Sequence, residues 1–223
     1  MRSRKPLSPI EVSCLSGNVP IETRLASSGT ALICGVDEAG RGPLAGPVAA
    51  AAVIFQDCDT LWAARDSKVL STRAREAHFA QITRDLTCAV GICTVEEIDS
   101  LNILRASLLA MERAVAALGV RPEVVLVDGI HLPRLPMACH AIRHGDARVA
   151  VISAASIVAK VTRDRIMREF DALYPGYGFA RHVGYPTAFH RSALNALGPC
   201  PIHRRTFHGV REFLAKSLEP ETA

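Results

Sequence analysis

The sequence predicts an α/β fold in which helices flank a mixed five-stranded sheet and a small helical lobe follows at the C-terminal end. Three observations favour this class. Apolar runs of strand length alternate with segments of helical spacing. Two of the runs end in acidic residues with a glycine close behind, which is typical of strands that open into loops. Eight of the eleven aromatic residues lie in residues 160–223, where the helical spacing continues.

Five apolar runs predict the strands. Segments that contain glycine or proline separate several of them, as expected for strands joined by turns and loops. The simplest arrangement of the first three strands is a meander. The five runs are residues 31–36, 47–55, 86–95, 123–129 and 137–143.

Two helical regions are predicted between these strands. The apolar residues of residues 71–85 recur at helical and not at alternating spacing. Thr94 and Glu97 form a capping box, which predicts a short helical turn before a longer helix. That longer helix is expected to run to Leu118, because Gly119 follows as a C-terminal stop signal.

Composition divides the chain into three parts. Residues 1–30 lack periodicity and are rich in Ser, Pro and Gly, which predicts a poorly ordered, irregular leader. Residues 31–159 hold the predicted sheet and form the core. Residues 160–223 form a helical, basic and aromatic-rich segment, into which a helix from 154 to about 173, capped by Ser153, leads.

The composition argues against a membrane or secreted protein. No apolar run approaches the ~18 residues of a membrane span. The basic N-terminus is followed by Pro and Gly and not by the apolar core of a signal peptide. The seven cysteines are odd in number and lack any C-x-x-C spacing, so neither a disulfide framework nor a zinc site is indicated. We therefore expect a cytoplasmic protein, and a monomer.

The charge of the chain is concentrated at its C-terminal end. Residues 160–223 carry 10 basic and 6 acidic side chains, whereas residues 1–159 carry 16 of each. Basic residues interleaved with aromatic residues suit a nucleic-acid surface, where cations meet phosphates and rings stack on bases or sugars. The aromatic residues would equally form the core of a small helical lobe, and we favour that alternative for Phe170, Phe179 and Phe213.

The segment from Gly35 to Pro47 is the most informative of the chain. It places Asp37 and Glu38 at the end of an apolar strand and follows them with a glycine-rich basic loop. Adjacent residues of a regular strand point to opposite faces, so a shared site requires the strand to break at these acids, which the following glycines favour. Converging carboxylates suit Mg²⁺ or Mn²⁺. An isolated Asp-Glu pair would also fit a solvated turn.

Two further acids follow later strands. Asp128 ends the fourth strand, and Asp146 follows the fifth. Because ligands gather beyond the carboxyl ends of parallel strands, these acids can meet Asp37 and Glu38 at one end of the sheet. Crowded carboxylates raise one another's pKa values unless cations neutralise them, which favours a metal site. Taken singly, Asp128 also fits a strand-ending turn and Asp146 a loop that leads into a helix.

The motifs of the chain form an ordered set between about residue 31 and about residue 213. Together they resemble the ribonuclease HII family, the type 2 ribonucleases H of bacteria, and they are specific as a set although each alone is weak. The matching strings are Gly35-Val36-Asp37-Glu38-Ala39-Gly40-Arg41-Gly42-Pro43-Leu44-Ala45-Gly46-Pro47-Val48, Asp66-Ser67-Lys68, Glu97-Ile98-Asp99, Leu101-Asn102-Ile103, Val127-Asp128-Gly129, Gly145-Asp146, Ile152-Ser153-Ala154-Ala155-Ser156-Ile157-Val158-Ala159-Lys160-Val161, Gly176-Tyr177-Gly178-Phe179 and Gly184-Tyr185-Pro186-Thr187.

The resemblance implies an RNase H-like fold with residues 31–159 as its catalytic core. It implies that two divalent ions, Mg²⁺ or Mn²⁺, bind in the active complex. It also implies that backbone groups of the Gly40-Arg41-Gly42 loop contact the ribonucleotide and its phosphate, and that Tyr185 stacks near the sugar at the RNA-to-DNA junction. The implied catalytic, metal-binding carboxylates are Asp37, Glu38, Asp128 and Asp146.

Two positions depart from the family's pattern. Val69 and Val183 stand where members of the family often have Lys, so phosphate contacts are not expected at those two places. Lys68 keeps its position in the motif and is a candidate substrate-binding residue, against the alternative of an ordinary surface lysine. Lys160 falls within a predicted helix, where a structural role fits at least as well.

The resemblance implies a metal-dependent endoribonuclease that hydrolyses the RNA strand of RNA–DNA hybrids. It would also incise DNA on the 5′ side of a single embedded ribonucleotide, leaving 3′-hydroxyl and 5′-phosphate ends, so its partners are hybrid duplexes and DNA that contains ribonucleotides. Two alternatives remain at this point. One is a hybrid-binding protein without catalysis, which the presence of four acids disfavours. The other is a related nuclease, such as ribonuclease HIII or a junction resolvase.

Overall fold

The computed structural model of the chain describes residues 19–64 and 71–216. Within these residues the strands are β1 (Ile33–Ala39), β2 (Val48–Ile54), β3 (Cys88–Cys93), β4 (Val124–Asp128) and β5 (Ala138–Ile142). They form a single five-stranded sheet in the order β3-β2-β1-β4-β5.

The sheet is mixed, as the sequence predicts. β1 pairs with β2, and β2 with β3, in antiparallel orientation, which confirms the predicted meander. β4 pairs in parallel with both β1 and β5. The carboxyl ends of β1, β4 and β5 therefore lie at one edge of the sheet, and this edge is where the predicted acids follow their strands.

Helices cover both faces of the sheet. Ser71 caps the helix that begins at Thr72, because its hydroxyl accepts from the N–H of Ala74. The capping box of Thr94 and Glu97 is present. A short and a long helix follow it, as predicted, and Asn102, at φ 70°, separates them. The helices are α1 (Ile21–Ser27), α2 (Asp59–Ala63), α3 (Thr72–Asp85), α4 (Val95–Leu101), α5 (Ile103–Ala116), α6 (Ala150–Leu173), α7 (Phe179–His182), α8 (Ala188–Leu197) and α9 (Arg211–Lys216).

Two hydrophobic cores lie on opposite sides of the sheet. One packs α6 against β1 and β2, and the other packs α5 against the opposite face. The approach of α6 is very close at Gly35. A Cβ atom at that position would lie 2.5 Å from the backbone carbonyl carbon of Val151. Glycine at position 35 therefore fixes how closely the long helix lies over the strand that carries Asp37 and Glu38.

The start of α6 differs from the prediction. The helix begins at Ala150, and Ser153 lies inside it, where the Ser153 hydroxyl donates to the carbonyl of Ala64. The expected N-cap role of Ser153 is therefore wrong. Instead, Glu22 of α1 reaches the first turn, where its Oε1 accepts from the N–H of Val151 at 3.2 Å. A distant carboxylate replaces the local cap, which no local sequence signal indicates.

The predicted leader is ordered in part. Residues 21–27 form α1, in which Glu22 and Leu25 are buried, so the prediction of an irregular segment is wrong over this stretch. Residues 1–18 lie outside the described residues. The predicted division between residues 159 and 160 falls within α6 and stays a proposal about substrate contacts.

The C-terminal part is helical, as predicted, and packs on α6 and on the loop that joins β1 to β2. Phe179 is fully buried, while Phe170 and Phe213 are partly buried against small apolar clusters. The core role that we favoured for these three residues is confirmed. In the described parts of the chain, none of the helices is both long and apolar enough to cross a bilayer.

Candidate active site

Asp37 and Glu38 both lie inside β1, which continues to Ala39. The predicted break of the strand at these acids is therefore wrong. Pairing with β2 includes both residues, but the parallel pairing with β4 ends one residue earlier, at Val36 opposite Val127. The two acids thus extend beyond the parallel part of the sheet, at the edge where β4 ends.

Asp128 and Asp146 lie next to each other, as predicted. Asp128 is the last residue of β4, and its Oδ1 accepts from the N–H of Gly145 at 2.6 Å and from that of Asp146 at 3.3 Å. A Cβ at position 145 would come within 2.7 Å of the Ile152 side chain, so glycine allows the short 3₁₀ turn (Gly145–Ala147) to approach α6 and the end of β4.

The acids of β1 and β4 interact electrostatically. Burial raises the pKa of Asp37 well above its ordinary value, and the neighbouring charges of Glu38 and Asp128 raise it further, while a hydrogen bond from Ser156 lowers it. Burial also raises the pKa of Glu38, against the opposing effect of Arg41. The pKa values of two carboxyls are thus raised at one buried point, which is unfavourable unless positive charge compensates them.

Glu38 also borders a cleft of about 350 Å³. Its Oε1 accepts from Arg41 Nη1 at 3.0 Å. Gly42 lies against Tyr185, because a Cβ at Gly42 would stand 3.5 Å from Tyr185 Cε1. The structure therefore brings the predicted glycine loop and Tyr185 together with two of the acids. The lining residues are Glu38, Ala39, Gly40, Arg41, Gly42, Arg75, Asp146, Ser156, Ile157, Lys160 and Tyr185.

The donor set fits a hard divalent cation. The acids offer only carboxylate oxygens, the ligand type of Mg²⁺ and Mn²⁺. Glu38 Oε2 is buried and has no hydrogen-bond partner among the described residues. Over residues 19–64 and 71–216, however, no three His, Cys, Asp or Glu side chains converge closely enough to hold an ion.

Three polar residues of the cleft were not predicted as site residues. Ser156 and Lys160 lie four residues apart on α6, so both face the cleft. Lys160 Nζ is 2.7 Å from Asp164 Oδ1 and 6.0 Å from the centre of the Tyr185 ring. Helical spacing from the site end of α6 could have indicated both residues. Arg75 reaches the cleft from α3, and no sequence signal indicates it.

Two of the predicted positions cannot be compared with the structure, and a third has an unusual backbone conformation. Lys68 and Val69 lie outside the described residues. Val183 adopts φ 45°, a left-handed conformation that β-branched residues rarely adopt. Its carbonyl accepts from Arg163 Nη1 at 2.9 Å, which fixes the backbone just before Gly184 and Tyr185.

Two buried histidines, His190 and His203, form a hydrogen-bonded chain that ends at the backbone carbonyl of Tyr185. His190 Nδ1 is 2.9 Å from the carbonyl oxygen of Tyr185, so Nδ1 must carry the proton and donate. His190 Nε2 then accepts from His203 Nε2 at 3.1 Å. His203 Nδ1 in turn accepts from the N–H of Cys200 at 2.9 Å. With this arrangement of protons both imidazoles are neutral. His203 Nδ1 also lies 3.3 Å from the carbonyl oxygen and 3.1 Å from the Sγ of Cys200.

Comparisons with known proteins agree on one family. Residues 34–210 match the family model for ribonuclease HII. The chain is 56% identical over 188 residues to the ribonuclease HII of Albidiferax ferrireducens, covering 84% of this chain and 91% of that protein. It also resembles the crystal structure of the Pyrococcus horikoshii ribonuclease H2, with a TM-score of 0.71, 28% identity and coverage of 85% and 100%. Its fold matches Bst-RNase HIII in complex with Mn²⁺, with a TM-score of 0.65, 18% identity and coverage of 85% and 71%.

Proposed function

The chain belongs to the ribonuclease HII family and is an endoribonuclease that acts on RNA–DNA hybrids; we propose that its active site is formed by the acids at the end of β1 and β4 and in the 3₁₀ turn. The observation that carries this proposal is the mutual proximity of acids from three segments. Asp128 bonds the backbone of the 3₁₀ turn, and its charge raises the pKa of Asp37. The four acids are Asp37, Glu38, Asp128 and Asp146.

The four carboxylates would hold two divalent cations, Mg²⁺ or Mn²⁺. Bound there, such ions supply Lewis-acid chemistry, lowering the pKa of an attacking water and stabilising the leaving oxygen. The protein's own part is to supply carboxylate oxygens from the ends of β1 and β4 and from the 3₁₀ turn. Arg41 adds a positively charged side chain that can move. It is exposed, and its ion pair with Glu38 lies at the surface of the cleft.

The cleft residues would bind the nucleic acid. Lys160 lies within reach of a backbone phosphate, and the exposed ring of Tyr185 offers a flat surface to a sugar at the RNA-to-DNA junction. The Gly40-Arg41-Gly42 loop would read the 2′-hydroxyl through backbone groups, since this hydroxyl is what distinguishes RNA from DNA. In this proposal, residues 31–159 supply the catalytic acids and the Gly40-Arg41-Gly42 loop. Residues 160–223 supply further substrate contacts through Lys160 and Tyr185.

The proposed function also includes the site of the cut, the product ends, the oligomeric state and the cellular location. The enzyme would incise DNA on the 5′ side of a single ribonucleotide as well as long hybrids, and would leave 3′-hydroxyl and 5′-phosphate ends. We expect it to act as a monomer in the cytoplasm. The family match favours ribonuclease HII over ribonuclease HIII or a resolvase.

A DNA duplex with one embedded ribonucleotide tests the proposed function. The protein is incubated with the duplex and Mg²⁺ or Mn²⁺, and the cut is mapped on a sequencing gel. A single cut 5′ to the ribonucleotide that EDTA abolishes is expected. Binding without chelator-sensitive cleavage would instead indicate a hybrid-binding protein, and a cut at another position would contradict the proposed specificity.

A further inference from the structure

Arg204 is a fully buried arginine whose guanidinium group bonds backbone carbonyls. Its acceptors all belong to the glycine loop, by which we mean residues 40–47. A guanidinium group offers five N–H donors in a fixed planar arrangement, which suits several acceptors at once. The acceptors are the carbonyl oxygens of Gly40 (2.5 Å), Arg41 (3.0 Å), Pro43 (2.8 Å), Gly46 (3.0 Å) and Pro47 (3.3 Å).

The carbonyl contacts determine where the loop's N–H groups point. In a trans peptide the C=O of one residue and the N–H of the next point in opposite directions, and the described residues contain no cis peptide. Since the carbonyls of Gly40 and Arg41 point inward to Arg204, the N–H groups of Arg41 and Gly42 point away from it. Both residues are exposed and line the cleft. Among the described residues, neither N–H group has an acceptor.

A second buried arginine supports the other end of the loop. Arg163 Nη2 donates to the carbonyl of Ala45 at 3.1 Å and Arg163 Nε to that of Pro47 at 2.9 Å. Gly40, at φ 101°, packs directly against the Arg163 side chain, where a Cβ would have no room. Arg163 therefore fixes the end of the loop at Ala45 and Pro47. Within the described parts of the chain, the carbonyls of Gly40 and Arg41 are held by Arg204 and by no other side chain.

The two guanidinium groups also place positive charge behind the loop. Burial, together with the neighbouring Arg163, lowers the pKa of Arg204 to about 9, which still leaves it charged at neutral pH. Carbonyl dipoles are its hydrogen-bond partners, and no carboxylate of the described residues lies within ion-pair distance of it. An anionic or electron-rich oxygen on the cleft side of the loop would therefore face two N–H donors. The buried guanidinium groups lie on the other side of the loop and add positive charge there.

We propose that Arg204 is the positioning residue of the glycine loop: by holding the carbonyls of Gly40 and Arg41 in the interior, it presents the N–H groups of Arg41 and Gly42 to a phosphate or 2′-hydroxyl oxygen of the substrate. This inference rests on the proposed role of the loop in substrate binding. It adds that the loop is shaped from the C-terminal segment, by a residue that itself touches no substrate.

The test compares hybrid binding by three variants. Affinity for a fluorescently labelled RNA–DNA hybrid is measured by anisotropy in EDTA, which prevents cleavage. Arg204→Lys keeps the charge but loses the planar set of donors, and Arg204→Ala loses both. Leu61→Ala, which truncates a buried core side chain of α2, is the control for general destabilisation. We expect both Arg204 variants to weaken binding at least about tenfold, the cost of lost hydrogen bonds to a charged ligand, and the control to leave it unchanged.

Two further readouts separate positioning from stability. Guanidinium at concentrations far below those that unfold the protein should restore binding by Arg204→Ala and leave Leu61→Ala unaffected. In steady-state assays the KM for hybrid should rise more than kcat falls. Weakening of the same size in Leu61→Ala, or an Arg204→Lys variant with unchanged affinity, would overturn the proposal.

A loop variant separates this inference from the proposed function. Gly42→Pro removes one of the two N–H groups. Gly42→Ala keeps that group and is the matched control, since its Cβ would make only an ordinary 3.5 Å contact with Tyr185. Equal affinity in Gly42→Pro and Gly42→Ala would refute the loop's substrate role, and the Arg204 inference with it. Weakened binding by Gly42→Pro but not by Arg204→Lys would refute the Arg204 inference alone. If the Arg204 variants do not fold, hydrogen exchange in the unsubstituted protein decides: the amides of Arg41 and Gly42 should slow when hybrid is bound, and unchanged exchange there would contradict the proposal.

Discussion

Acid sensitivity of the C-terminal segment is a direct consequence of the buried histidine chain. His203 accepts from the Cys200 N–H and donates to His190, so it is bound in its neutral form. Burial, with a smaller contribution from His190, lowers the pKa of His203 to about 4 from an ordinary value of 6.5. The unfolded chain takes up this proton near pH 6.5, whereas the folded chain resists it down to about pH 4. Stability from His203 is therefore complete above pH 6.5 and is lost as the pH falls toward 4.

The size of this loss follows from the pKa difference. Lowering the pKa from 6.5 in the unfolded chain to about 4 in the folded chain corresponds to about 3 kcal/mol of unfolding free energy. His203→Gln removes the titrating group and keeps an N–H near the position of Nε2. It loses the acceptor for the Cys200 N–H, so it should be less stable than the unsubstituted protein by about 1 kcal/mol at pH 7.

The assay is urea unfolding followed by circular dichroism between pH 7 and pH 4. The unsubstituted protein should lose about 3 kcal/mol more than His203→Gln over this range, so the two stability curves should cross. Titration of the remaining groups is common to both proteins and cancels in the difference. Parallel curves would refute the assignment of a neutral, acid-resistant His203.

Four further predictions follow from the fold and the site. Asp37→Asn should abolish hydrolysis and raise the melting temperature of the metal-free protein. It removes a buried carboxyl group whose raised pKa shows that its charged form is unfavourable there. A lowered melting temperature would contradict this prediction. Glu22→Ala should cost about 1–2 kcal/mol in urea unfolding, since it removes the acceptor of the Val151 N–H at the start of α6, and unchanged stability would disprove that cap. Gly35→Ala should cost about 2–3 kcal/mol by forcing α6 away from β1, and a neutral result by thermal unfolding would count against this packing. Hybrid affinity, measured by anisotropy, should fall steeply between low and high salt because the C-terminal segment is basic, and a flat response would contradict the placement of the nucleic acid there.

Local signals in the sequence were sufficient for most of the fold. The strands carry continuous apolar runs because both faces of the sheet are buried. The capping box at Thr94 depends on neighbouring residues alone. Gly119 indicated the end of α5 to within a few residues, since the helix ends at Ala116 and not at the predicted Leu118. The convergence of Asp128 with Asp146 followed from the parallel arrangement of β4 and β5, which places the ends of both strands at one edge.

The features that sequence reasoning missed depend on contacts between distant segments. The cap of α6 comes from Glu22, which is 129 residues away from Val151, while Ser153, a typical capping residue, is buried in the helix. The strand does not break at Asp37 and Glu38, because pairing with β2 continues even though pairing with β4 has ended. Arg204 reaches the glycine loop over more than 150 positions of sequence, and such a contact has no local signature.

Cation binding by the acids tests the central claim most directly. Free Mn²⁺ is followed by electron paramagnetic resonance while it is titrated into the protein bound to a hybrid analogue that it cannot cleave. The unsubstituted protein should bind two Mn²⁺, and Asp128→Asn should lose at least one while its circular dichroism stays unchanged. The control is Glu123→Gln. Glu123 is an exposed acid that directly precedes β4, at the end of the strand opposite Asp128, so this variant should bind Mn²⁺ as the unsubstituted protein does. Undiminished Mn²⁺ binding by Asp128→Asn would contradict a metal site built from these carboxylates.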